Sequence, residues 1–190
     1  MSNELKVLRA IFTESCAAHE RFAALRLDSL VEAARVIGRA VTTGNKLLAF
    51  GNGGSAADAQ HLVAELVGRF EKERAALPAL ALTSNSSIVT AIANDYSYEV
   101  VFARQVEALG RKGDVAFGIS TSGHSANVER ALVAAKARGM IAIALTGRDG
   151  GPIGKVADIH INVGEQSTPR VQEVHRTALH AMCSLIEGQL

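Results

Sequence analysis

Apolar residues recur with a helical spacing over the first forty positions. After residue 45 they gather instead into short unbroken runs. Leu5, Leu8, Ile11 and Phe12 keep a helical period, as do Leu30, Ala33, Ala34, Ile37 and Val41, which predicts helices over 4–43, stopped by Thr42, Thr43, Gly44 and Asn45. Five later runs read as buried strands, at 46–50, 79–82, 114–119, 141–145 and 159–163. Helical stretches lie between and after them, over about 56–69, 88–93, 98–109, 127–138 and 171–187. Strands alternating with helices imply a parallel sheet covered on both faces through right-handed crossovers. No linker or shift in composition divides the chain. It therefore reads as one α/β domain over 1–190: a doubly wound parallel five-stranded sheet over 44–190, preceded by a helical extension over 1–43. The apolar face of that terminal helical pair is expected to be buried against another subunit, a role in oligomerisation.

In such sheets ligands bind beyond the carboxyl ends of the strands, and two polar loops fall there. The first, GNGGS at 51–55, follows the first strand; the second, STSGHS at 120–125, follows the third. Taken singly, each is an ordinary set of turn and N-cap residues. Two of them at one edge of one sheet favour phosphate, held by helix N-terminal N–H groups and by the hydroxyls of Ser120, Thr121, Ser122 and Ser125, with no Lys or Arg required. Gly51, Gly53 and Ala56 also fit the dinucleotide pattern G-x-G-x-x-A. The second strand, however, ends in Thr83, Ser84 and Asn85 without the acid that would hold a ribose, and no Walker pattern is present, which sets both nucleotide readings aside.

His61 and Glu65 sit four apart on the helix after the glycine loop, so an imidazole and a carboxylate share one face, suited to a metal or to proton transfer. On the last helix Gln172 and His180 lie two turns apart, with Glu173 and His175 competing for the same role. Zinc accepts His, Glu and, less often, an amide oxygen. A histidine on a helix is more often structural, and spacing alone does not bring the two helices together. The charged run Glu71–Arg74 reads as a solvated helix end.

Composition narrows the function classes. Of 190 residues, 48% are hydrophobic and 21% charged, and the net charge of +1 gives no electrostatic case for nucleic acid or an anionic membrane. Aromatics are 4% with no Trp, which argues against base stacking. No apolar run reaches the length of a membrane span, and the amphipathic start MSNELKVLRA lacks a signal-peptide core, so a cytoplasmic location is expected. Cys16 and Cys183, far apart, read as reduced thiols.

Five segments, FGNGGSAADAQHLVAEL, AIANDYSYEVVF, GISTSGHSANV, ALTGRDGG and PRVQEVH, together resemble the sedoheptulose-7-phosphate isomerases (phosphoheptose isomerases) of the sugar-isomerase, or SIS, domain family, in order and over nearly the whole chain. The resemblance implies a flavodoxin-like sheet, a homotetramer with active sites at subunit interfaces, and one zinc ion per subunit. It implies conversion of sedoheptulose 7-phosphate to D-glycero-D-manno-heptose 7-phosphate, toward the heptose of bacterial surface polysaccharides such as lipopolysaccharide. The implied metal ligands are His61, Glu65, Gln172 and His180. The implied sugar-phosphate contacts are Asn52, Gly53, Gly54, Ser55, Glu65, Asn94, Asp95, Ser120, Thr121, Ser122, Ser125 and Gln172, and the implied proton-transfer pair is Glu65 with His180.

Two positions depart from the family pattern: His124 replaces an Asn of the serine loop, and Pro169 stands where some members carry an acid. A rival resemblance, to replication-initiator-associating scaffolds that lack the catalytic carboxylate, draws on FTES at 12–15 and on AIAND, while Glu65 argues for the enzyme. A sugar-phosphate sensor domain is the third reading, weakened by the lack of an attached DNA-binding module.

Overall fold

The computed structural model describes residues 2–190. Its sheet is parallel throughout, in the order β2-β1-β3-β4-β5. The strands are β1 (Leu47–Gly51), β2 (Ala79–Ala81), β3 (Val115–Ser120), β4 (Ile141–Thr146) and β5 (Ile159–Asn162). β1 and β3 are buried along their whole length, which is why they appear as unbroken apolar runs rather than alternating ones.

Successive side chains serve opposite faces. Leu47, Ala49, Val115, Phe117, Ile119, Ile143 and Leu145 join the core formed with α2 (Leu27–Thr42), α3 (Gly54–Val67) and α8 (Thr168–Glu187). Leu48, Phe50, Ala116, Ala142 and Ala144 join the core formed with α5 (Ala103–Leu109), α6 (Ala126–Ala137) and α7 (Gly151–Val156). Each large side chain fully buried in this way contributes about 1.5–3 kcal/mol, so the doubly wound arrangement follows from the strands' being apolar on both sides. From β1 the chain passes to β2 on one side, and the next strand, β3, returns on the other. The carboxyl ends of β1 and β3 therefore flank a topological switch point, where the polar loops lie.

The helical stretch at the start divides in two. α1 (Asn3–Leu25) ends at Arg26, and α2 begins at the next residue. α2 buries Leu30, Ala33, Ala34, Ile37 and Val41 and is part of the sheet's cover. α1 buries only Ala18 and Phe22 among the described residues and leaves Leu5, Leu8 and Phe12 exposed. It is fastened by polar links: Arg170 Nη1 donates to the Ile11 carbonyl at 2.7 Å, His19 Nε2 meets Thr177 Oγ1 at 2.9 Å, and Arg21 Nε donates to Glu165 at 2.7 Å.

Other elements differ from expectation for local reasons. The predicted helix over 98–109 is a 3-10 turn, Tyr98–Val100, followed by α5. α4 (Ser86–Asp95) starts earlier than the pattern suggested because Asn85 caps it, accepting from Ile88 N at 3.1 Å. α7 is too short to show a period; Gly150 caps it at φ 81°, and a proline sits in its first turn. Pro169 occupies the first turn of α8, where a missing N–H costs nothing, so that departure lets the helix start early.

One expectation is overturned. The charged run at 71–74 is not solvated at its end: the Arg74 and Glu187 side chains are 8% and 3% exposed and lie 3.2 Å apart. Both cysteines are free, and burial pushes the Cys183 thiol up to about 12. No helix among the described residues is long and apolar enough to cross a membrane.

Candidate active site

α3 connects two chemically different ends. At its start, Gly51 pairs in register with Ile119, so the loops after β1 and β3 leave the sheet side by side. Gly53 turns the chain into α3 at φ 53°, ψ −120°, a backbone region almost closed to other residues. The positive end of the α3 dipole thus faces the sheet edge, and α6, whose cap is Ser125, starts at the same edge.

Three serine hydroxyls converge between these helix starts. Ser120 Oγ lies 3.0 Å from Ser125 Oγ and 3.5 Å from Ser122 Oγ, and accepts from Gly123 N at 3.2 Å. Ser55 and Ser120 are buried. Gly123 (φ 73°) is required by a close approach, because a Cβ there would run into the backbone of Gly150 and Gly151. His124 turns back onto its own loop, its Nδ1 2.7 Å from the Ser122 carbonyl.

The loops are joined by Asn52 and by two residues the sequence did not single out, Asn127 and Tyr98. The amides of Asn52 and Asn127 donate to each other, both at 2.9 Å, and Tyr98 Oη donates to Asn52 Oδ1 at 3.0 Å. Asn127 is buried in the first turn of α6. Nothing in the spacing pairs positions 52 and 127; only the β1–β3 adjacency does. Asn94 and Asp95 lie shortly before Tyr98 at the exposed end of α4, where Asn94 Nδ2 donates to Asp95 Oδ1 at 2.8 Å.

The other end is a seam between α3 and α8. Residues spaced three and four apart on each helix meet in order. A Cβ on Gly54 would strike the Gln172 amide. Arg176 Nη2 lies 2.7 Å from Asp58 Oδ1. His61 Nε2 lies 2.7 Å from His180 Nε2 and 3.3 Å from Glu65 Oε1. The ligand atoms of His61, Glu65 and His180 all fall within 4.8 Å of one another. The Phe70 ring rests on His180, with centroids 5.5 Å apart.

The seam resolves the ambiguity on the last helix. His175 is fully buried and faces inward, while Glu173 Oε1 accepts from Arg170 at 2.6 Å. Gln172 lies about 12 Å along α8 from His180, two turns away, and lines a cavity of about 620 Å³ together with Gly54, Asp58, Arg176 and, from α1, Ser15 and His19.

Electrostatics keep this end suited to ligation. Burial, reinforced by the Arg176 cation, holds the His61 imidazole below its usual range, against the pull of Glu65. Burial raises the Asp58 carboxyl despite Arg176. Two imidazole nitrogens and a carboxylate oxygen are the donors a catalytic zinc prefers, and three protein ligands leave a fourth position open. The donor set therefore fits a metal ion.

The family model described as SIS domain matches residues 12–147. The chain is 51% identical over 183 residues to the phosphoheptose isomerase of Aquifex aeolicus, covering 96% of each. The chain belongs to the phosphoheptose isomerase family of SIS-domain proteins. It is 50% identical over 185 residues to the phosphoheptose isomerase of Geobacter sulfurreducens, covering 97% of this chain and 92% of that one. The solved structure of a phosphoheptose isomerase from Neisseria gonorrhoeae superposes with a TM-score of 0.93 at 46% identity, covering 98% of this chain and 100% of that one. The flavodoxin-like SIS fold expected from the sequence is the fold observed.

Proposed function

We propose that this protein is an aldose–ketose isomerase converting sedoheptulose 7-phosphate to D-glycero-D-manno-heptose 7-phosphate. The observation that carries the reading is one helix, α3, that begins at an anion-binding sheet edge and then presents a carboxylate beside two imidazoles. Family membership at about half identity over nearly the whole chain supports the same activity.

The reaction moves a proton from C1 to C2 and another from O1 to O2 through a cis-enediol. Loop 51–55 and the hydroxyls of Ser55, Ser120, Thr121, Ser122 and Ser125 grip the phosphate. Binding that remote end orients the reacting carbons. Asn52, Gly53 and Gly54 shape the grip, and Asn94, Asp95 and Gln172 meet the sugar hydroxyls. Glu65 and His180 are the proton-transfer groups, one serving the carbons and the other the oxygens. His61, Glu65 and His180 would hold one zinc ion per subunit, with Gln172, two turns away on α8, as the fourth ligand that the family resemblance implies; the ion would polarise the substrate carbonyl and stabilise charge on its oxygen.

The exposed Leu5, Leu8 and Phe12 of α1 support burial against another subunit, and the homotetramer with sites at subunit interfaces is what the family resemblance adds. The product's destination is a surface polysaccharide such as lipopolysaccharide, made from a cytoplasmic precursor. The scaffold reading, binding to a replication initiator without catalysis, rests on loss of the carboxylate, whereas Glu65 is present beside His61.

The test is to incubate purified protein with sedoheptulose 7-phosphate and follow the aldose phosphate. Product is expected; its absence from a metal-replete sample removes the isomerase reading. Chelation is expected to lower turnover, and unchanged turnover in a verified metal-free sample discards the metal's role.

A further inference from the structure

The buried ion pair between Arg74 and Glu187 reaches the catalytic end from two directions. The Glu187 carboxylate takes four donors. Oε1 accepts Phe70 N at 2.9 Å and Arg74 Nε at 3.2 Å; Oε2 accepts Glu71 N and Lys72 N, both at 2.9 Å. Arg74 in turn closes the end of α3. Its Nη2 donates to the carbonyl of Glu65 at 2.6 Å, and its Nη1 to those of Leu66, Gly68 and Ala75 at 2.7, 3.2 and 3.0 Å. Those of Glu65, Leu66 and Gly68 are carbonyls at the end of α3 that the helix itself cannot satisfy. The turn that Glu187 grips begins at Phe70, whose ring lies over His180 with the planes tilted by 36°.

His180 and Glu187 are seven apart on α8, two turns along one face. One helix therefore carries a proposed catalytic imidazole and the anchor that returns an aromatic ring onto it. The same anchor, through Arg74, fixes the backbone of Glu65.

We propose that Glu187 is a positioning residue of the isomerase: it clamps the 70–74 turn so that Phe70 orients the His180 ring and Arg74 fixes the end of α3 that bears Glu65. This rests on the isomerase reading given above. The clamp needs a carboxylate. Both oxygens accept two donors each, and an amide nitrogen at either place would face N–H groups it cannot satisfy. The clamp is remote from the phosphate loops, so it acts on the reacting carbons and not on the grip. A misplacement at the chemistry from a distant change can cost about a hundredfold in rate.

The test uses the full-length, metal-loaded protein with Glu187→Gln and Phe70→Leu. Phe70→Leu keeps apolar volume and leaves the ion pair intact, so it decides the matter if Glu187→Gln fails to fold. Turnover of sedoheptulose 7-phosphate is measured alongside NMR of histidine-labelled protein, where His180 senses the ring current of Phe70. The expected result is kcat lowered by about tenfold to a hundredfold with KM within about twofold, and a displaced His180 signal in both variants. Folded variants that keep wild-type kcat, or that raise KM alone, overturn the proposal, as does a His180 signal unmoved in Glu187→Gln. If wild-type protein fails to turn over this substrate, the isomerase reading falls by itself. The His180 signal in Glu187→Gln then still decides whether the clamp orients the ring.

Discussion

The two ends of α3 are built by opposite strategies. The glycine and serine end is made of short loops that leave neighbouring strands, and its groups are backbone N–H, hydroxyl and amide. The acid–base end is made of side chains from α3 and α8 that are 119 residues apart at the His61–His180 contact. The first end is neutral and held by local turns, cross-linked where Asn127 and Tyr98 both bond Asn52. The second is held by ion pairs, Asp58 with Arg176 beside it and Arg74 with Glu187 beyond it. The difference teaches that backbone N–H groups and hydroxyls can be gathered by a sheet edge with helix starts, whereas imidazole side chains 119 residues apart, with a carboxylate beside them, meet only when two helices are locked in register.

If that division of labour is correct, substitutions at the two ends should fail in different ways. Glu65→Gln keeps size and shape but removes the carboxylate, and kcat should fall by about 100- to 10,000-fold in a folded protein. Near-normal turnover would take Glu65 out of the mechanism. Ser120→Ala should spare kcat and raise KM by about 10- to 100-fold, the worth of a hydrogen bond to a charged group. A loss confined to kcat would mean that this hydroxyl does not grip phosphate. Gly53→Ala forces a side chain into a glycine backbone conformation at φ 53° and should cost about 1–3 kcal/mol of stability by denaturant unfolding. An unchanged midpoint would show that the loop relaxes freely.

An effect confined to acid pH lies beneath the site, at His175. Burial lowers its pKa from 6.5 to about 4, opposed only by the Thr146 backbone, and neither ring nitrogen makes a well-formed hydrogen bond. The unfolded chain therefore takes up a proton below about 6.5 that the folded one refuses. Stability from this group is complete above 6.5 and declines as pH falls toward 4, by about 1.4 kcal/mol per pH unit. Denaturant titrations at several pH values should give His175→Gln a shallower acid slope than wild type; equal slopes would assign the proton elsewhere.

Much of the loop end was legible because its signals are local. Glycine and serine clusters after apolar runs mark strand ends whatever the rest of the chain does. His61 and Glu65 were legible as a pair because helical periodicity places residues four apart together. Asn127 and Tyr98 were not, because their role depends on which strand lies beside β1. Arg74 was misread as part of a solvated helix end, and Glu187 was not singled out at all. Their burial follows from the 68–77 segment folding back onto the end of α8, and no local pattern encodes that return.

By itself, then, the sequence determined the alternation of strands and helices, the two loops at one edge and the facing of His61 with Glu65. Each of these depends on neighbours within a few residues. Spacing left His175 and His180 in competition and only family resemblance pointed to His180; the tertiary structure decided that His180 meets His61 and Glu65, that Arg176 sits on Asp58, and that Glu187 reaches the turn behind Glu65. Those choices depend on the rotation and register of α8 against α3. Packing of both helices on the sheet sets that register, and no spacing along the chain can encode it.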